Sequence, residues 1–121
     1  MLVLITLLQL IFADADPFRQ ITPDDYVSFT KDKTVSHLVF YWSPGCHWCK
    51  VLRNDLVTLS KEVPSVDIVE LNCYLYKTFC STQRASNIPK LYLVQGPYSY
   101  QCYDRDIPLM KEFLLSHLKR K

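Results

Sequence analysis

One junction constrains this chain more than any other feature. Residues 37–42 form a dense run of apolar and β-favouring side chains. Ser43-Pro44-Gly45 interrupts the run, and Cys46-His47-Trp48-Cys49 opens the longest helical pattern in the sequence. A run without polar alternation suits a strand buried on both faces, as strands are in parallel sheets covered by helices. Beyond the junction Leu52, Leu56, Leu59 and Val63 recur at three- and four-residue steps. They predict the buried stripe of a helix over residues 46–63, which Pro64 stops. A buried strand therefore feeds, through a tight break, into a helix with two cysteines on its first turn.

The rest of the chain alternates in the same way. Thr22-Pro23-Asp24-Asp25 predicts a helix start, with a hydroxyl at the cap, proline at the first helical position and acids in the first turn. Tyr26, Val27 and Phe29 give that helix its apolar side. Residues 66–71 read as a second buried strand and residues 76–85 as a helix. Strands at 90–94 and 98–103 are joined by a Gly96-Pro97 turn. Met110, Phe113, Leu114, His117 and Leu118 make the apolar face of a last helix. Strands separated by helices imply parallel pairing, and the closing hairpin adds an antiparallel edge. The expected class is α/β, a mixed sheet flanked by helices on both faces.

The first residues read differently. Residues 2–12 are almost unbroken apolar, interrupted by Thr6 and Gln9, and Ala13-Asp14-Ala15 follows. That pattern predicts a signal peptide at 1–15 ahead of a domain at 16–121, although the usual basic start is missing. The alternative is a buried first strand or helix. The run is shorter than the roughly 20 residues of a membrane-spanning helix, so no stable membrane anchor is expected after cleavage. Five cysteines behind an export signal fit an oxidising compartment, and the odd count leaves at least one thiol outside any bond within the chain. With 49% hydrophobic residues and a net charge of +2, the chain is set for a packed core. That balance gives no electrostatic case for nucleic acid or an anionic membrane as partner. Lys119-Arg120-Lys121 reads as a solvated end.

The two cysteines carry the chemistry. Cys46 falls at a helix amino terminus, where unsatisfied N–H groups and the macrodipole favour an anion. A thiolate is stabilised there, and the thiolate is the species that attacks a disulfide. Two intervening residues bring Cys49 one turn along, within bonding reach, as the more buried thiol that resolves the mixed disulfide. His47 and Lys50 add positive potential and tune the site. A bare Cys-x-x-Cys also serves structural disulfides and zinc sites. Zinc would need two further ligands, and the spacing of His37 and His117 does not recommend them. No metal and no cofactor are expected, because thiol exchange needs none.

Residues 37–52, with Phe40-Tyr41-Trp42-Ser43-Pro44 before the cysteines and Lys50 after them, resemble the active-site segment of protein disulfide isomerase catalytic domains. The resemblance spans residues 20–119 and implies a thioredoxin-like fold. It implies that Ile88-Pro89 is the family's cis-proline pair, presenting the Ile88 backbone to substrate. It makes Arg105 the counterpart of a mobile arginine near the active site, and Cys73 with Cys80 a second, structural disulfide. Cys102 is then left as an inert, half-buried thiol in a strand. Three positions depart from the pattern. Phe40 stands where many family members carry a buried acid, so Cys49 must pass its proton to water or a less direct base. Gly45 stands where tryptophan is common, and Trp48 stands at an intervening position that is not usually aromatic, where an exposed ring would help hold apolar substrate.

The expected activity is that of a thiol–disulfide oxidoreductase or isomerase acting on cysteine-containing client proteins of the secretory pathway, recycled by a redox partner. The expected location is the endoplasmic reticulum lumen or outside the cell, and the lack of a Lys-Asp-Glu-Leu type signal leaves secretion, or retention through a partner, as open as residence in the lumen. The competing reading is a thioredoxin-like binding module with little or no redox turnover.

Overall fold

The computed structural model describes residues 17–119. The candidate signal peptide at 1–15, and Arg120 and Lys121, lie outside the described residues. The elements run β1 (Arg19–Gln20), α1 (Pro23–Lys31), β2 (Ser36–Trp42), α2 (His47–Glu62), β3 (Val66–Asn72), α3 (Lys77–Thr82), β4 (Lys90–Gln95), β5 (Tyr98–Gln101) and α4 (Ile107–Lys119). They build one five-stranded sheet in the order β1-β3-β2-β4-β5. β1 and β2 lie parallel to β3, while β4 runs antiparallel to both β2 and β5.

Alternation along β2 divides the core in two. Leu38 and Phe40 face α2 and α4, packing with Leu52, Leu56, Leu59, Leu91, Met110 and Leu114. Val39 and Tyr41 face the opposite side, with Ile21, Phe29 of α1, Val69, Leu71 and Cys80 of α3. Both faces of the central strand are therefore covered, which is why its sequence shows no polar alternation. Helices lie on both sides of a mixed sheet.

Local signals explain the starts of the helices better than their ends. The Thr22 hydroxyl accepts from the Asp25 N–H at 3.2 Å, and the Asp25 carboxylate accepts from the Thr22 N–H at 2.9 Å. This is a complete capping box. Val27, however, is 46% exposed, so the apolar side of α1 narrows to Phe29 and the half-buried Tyr26. α3 is also shorter than the 76–85 expectation. Arg84 sits at φ 58, the Arg84 N–H bonds to the Ser81 carbonyl at 3.1 Å, and the Ala85 N–H reaches the Cys80 carbonyl at 2.8 Å. That is a Schellman stop, usually marked by glycine and here built on arginine, so the sequence did not announce it.

Topology departs from expectation in two places. β1 is only two residues long, too short to leave a pattern. β4 follows a helix yet runs antiparallel beside β2. A parallel return would have to travel back along the seven residues of β3, about 23 Å, whereas the six residues of α3 rise only about 9 Å. The chain therefore enters β4 near the end where β3 finished. Cys102 lies one residue past β5 and is fully buried rather than half-buried, its N–H donating to the Leu91 carbonyl at 2.9 Å. Among the described residues, no helix is long and apolar enough to cross a membrane.

Candidate active site

The break between β2 and α2 is a tight turn. The Cys46 N–H bonds back to the Ser43 carbonyl at 3.3 Å, with Pro44 second and Gly45 third at φ 80. Proline followed by a residue at positive φ defines a type II turn, and glycine is the residue that enters that region without strain. A β-carbon at Gly45 would meet nothing within 4 Å, so the dihedral and not crowding explains the glycine.

Cys46 is the N-cap of α2, at φ −82 and ψ 108, and its sulfur accepts the Cys49 N–H at 3.2 Å. The sulfur thus occupies the place of a capping oxygen and satisfies a backbone donor left open at the helix start. Cys46 and Cys49 are joined in a disulfide with Cα atoms 5.2 Å apart. Cys46 is partly exposed, whereas Cys49 is 1% exposed within the α2 side of the core. His47 and Lys50 are exposed on the first turn. Trp48 is 67% exposed and meets the His47 ring edge-on at 5.0 Å.

Residues distant in sequence gather around this turn. The Ile88–Pro89 peptide bond is cis. Pro89 lines a groove of about 340 Å³ with Trp48, Val51, Leu52, Asp55 and Arg105. Arg105 donates to the carbonyls of Cys102 at 3.0 Å, Asp104 at 2.8 Å and Pro89 at 3.3 Å, which fixes it beside the cis-proline. Across Ile88 a second depression is lined by Ser43, Tyr74, Lys77 and the cysteines of a second disulfide. That disulfide joins Cys73 and Cys80, with Cα atoms 5.8 Å apart. The Cys73 N–H donates to the Trp42 carbonyl at 2.7 Å, tying the segment to the strand that leads into Cys46. Burial pushes the Cys102 thiol up from its ordinary pKa, opposed by a backbone hydrogen bond from Asp104.

Other ionisable groups are engaged elsewhere. His37 stacks on Phe29 with ring centroids 3.6 Å apart, and its Nε2 lies 3.5 Å from the Asp67 carboxylate. His117 packs against Tyr100 and Phe113. Among the described residues, no three His, Cys, Asp or Glu side chains converge as a metal-binding set.

One cluster was not legible as a unit in the sequence. Glu70 has no solvent exposure. It accepts Arg53 Nε at 2.7 Å, Arg53 Nη2 at 3.0 Å and Gln20 Nε2 at 2.6 Å. The Trp42 indole N–H closes the network on Gln20 at 3.1 Å, and the Arg53 guanidinium lies 4.7 Å from the centroid of the Trp42 ring. The available signal was a glutamate inside the otherwise buried run at 66–71, with an arginine on the helix expected to cover it.

A family model described as thioredoxin matches residues 17–113. Among solved structures, the Trx4 domain of ERdj5 superposes with a TM-score of 0.78 at 15% identity, covering 88% of this chain and 100% of that one. The J-Trx1 fragment of ERdj5 gives 0.76 at 21% identity, covering 86% of this chain and 53% of the fragment. This chain thus spans about half of that fragment. A thioredoxin from Trypanosoma brucei brucei gives 0.75 at 10% identity, with 86% and 93% covered. At these identities the likeness speaks for the fold. No curated protein gives a significant sequence match.

Proposed function

Starting from a chain that belongs to the thioredoxin family, we propose that it is a thiol–disulfide oxidoreductase acting through Cys46 and Cys49. The observation that carries this reading is the Cys49 N–H donating to the Cys46 sulfur at 3.2 Å on the opening turn of α2. The same donor stabilises a Cys46 thiolate once the disulfide opens. In the oxidising direction a client thiolate attacks the Cys46 sulfur and the Cys46–Cys49 bond breaks, so Cys49 leaves with the electron pair. A second client thiolate then attacks the client sulfur of the mixed disulfide and releases Cys46. The reducing direction runs these steps backwards, with Cys49 resolving. Two electrons move in each cycle, and no cofactor is required.

The surroundings fit a client polypeptide. Pro89 and the Ile88 backbone lie between two depressions and would orient an extended segment. Trp48 offers an exposed apolar ring, His47 and Lys50 contribute positive potential beside Cys46, and Arg105 supports the Pro89 side of the groove. We place the protein among the protein disulfide isomerases on the resemblance of residues 37–52. Its clients would be cysteine-containing proteins of the secretory pathway, in the endoplasmic reticulum lumen or outside the cell. The apolar run at 2–12 and the Cys73–Cys80 disulfide support that compartment.

Catalysed reduction of insulin by dithiothreitol tests the reading. The parent protein should accelerate it and Cys46→Ala should abolish the acceleration. A folded parent protein that gives no acceleration would favour the binding-module alternative.

A further inference from the structure

Resolution requires Cys49 to lose a proton in a place hostile to charge. Cys49 is 1% exposed and packs in the cluster that contains Phe40, Leu52 and Leu91. Burial in apolar surroundings disfavours a thiolate, yet only the thiolate attacks. Phe40, in the same cluster, has no acceptor to offer.

The chain holds a carboxylate beside that phenylalanine. Phe40 and Glu70 are direct register partners on the parallel strands β2 and β3. Ile68, two residues earlier on β3, packs into the α2 side of the core, and alternation puts Glu70 on the same face. Its two hydrogen bonds from Arg53 agree with that placement. Arg53 follows Cys49 by four residues on α2, one turn along the same side of the helix. Glu70 is also the one fully buried carboxylate among the described residues. A buried ion pair is weak evidence for stability, because well-packed apolar residues of similar volume often do as well. Its place beside Phe40, on the sheet face that α2 covers, points to another use.

We propose that Glu70, held by Arg53, accepts the Cys49 proton during resolution through one intervening water. The inference rests on the oxidoreductase reading given above. Glu70 Oε1 accepts from both Gln20 and Arg53, whereas Oε2 accepts one donor, so the carboxylate retains acceptor capacity. The groups facing it are the Arg53 cation from α2, the neutral Gln20 from β1, and the Phe40 and Trp42 rings of β2 that border the guanidinium. In the step, the Cys49 S–H bond breaks and its proton passes to the carboxylate. The Cys49 thiolate attacks the Cys46 sulfur of the mixed disulfide, and the client sulfur leaves as a thiolate. Glu70 then returns the proton to solvent.

The test is a stopped-flow reaction of the reduced protein with an aromatic disulfide whose released thiolate is coloured. The first phase reports attack by Cys46, and the second reports resolution by Cys49. Glu70→Gln keeps the shape and should leave the first phase unchanged while slowing the second by about tenfold or more at neutral pH. Glu70→Asp should restore part of the second phase. If Glu70→Gln does not fold, Arg53→Met with Glu70→Met removes both charges together, which buried pairs tolerate well. That double variant should show the same selective slowing. A parent-like second phase in a folded Glu70→Gln or double variant overturns the proposal. So does equal slowing of both phases, which marks a structural role only. A parent protein with no first phase would instead overturn the oxidoreductase reading.

Discussion

The Cys49 N–H points at the sulfur of Cys46, 3.2 Å away, so the more buried cysteine stabilises the more exposed one through its backbone. After gentle reduction, a limiting amount of alkylating agent at mildly acidic pH should therefore label Cys46 well before Cys49. Mass spectrometry of the singly labelled protein reads the site, and a predominance of Cys49 adducts would reverse the assigned roles.

The Cys73–Cys80 disulfide should outlast the active pair. Both cysteines are nearly covered and the loop between them is short. Mild dithiothreitol should open Cys46–Cys49 first, as peptide mapping would reveal. Replacing Cys73 and Cys80 together by alanine should cost about 2–3 kcal/mol in denaturant unfolding. Equal reduction of both bonds at the same reductant concentration would contradict this ordering.

Two positions at positive φ should respond with opposite signs. Gly45→Ala forces a β-carbon into the left-handed region and should destabilise by about 1 kcal/mol, despite the open space around it. Arg84→Gly relieves the same strain at the end of α3 and should stabilise by about 0.5–1 kcal/mol. Urea midpoints of the oxidised proteins give both values. A shift of the same sign at both positions would mean that the dihedrals are not the cause.

Cys102 should make stability sensitive to alkaline pH. Burial raises its pKa in the fold. The neutral thiol is therefore favoured by folding below the unfolded-state value of about 8.5, and that contribution fades as pH rises above it. Between about pH 8 and pH 10, Cys102→Ala should lose less stability than the parent protein. Matching losses measured by urea unfolding would show that Cys102 does not contribute.

Much of this was legible because it is written in local chemistry. The uniform run at 37–42 specified a strand covered on both faces, and Ser43-Pro44-Gly45 specified the turn that sets Cys46 on a helix cap. Thr22 and Asp25 declared a helix start. What stayed hidden depends on partners remote in sequence or on residues without a distinctive signature. β1 is too short for periodicity, and Arg84 performs a stop normally written with glycine. The direction of β4 follows from the short reach of α3, whose end the sequence marks with no breaker. The role of Glu70 depends on Gln20, Arg53 and Trp42, which are remote in sequence and converge on it only in the fold.

The claim that Cys46 exchanges disulfides with clients is tested most directly by removing the resolving thiol. In Cys49→Ala the mixed disulfide cannot be cleared by the second cysteine, so a protein client carrying a disulfide should remain covalently attached. Peptide mapping of the trapped species should show the client cysteine linked to Cys46, with reductant releasing it and Cys46→Ala trapping nothing. A folded Cys49→Ala protein that captures no client through Cys46 would contradict the account.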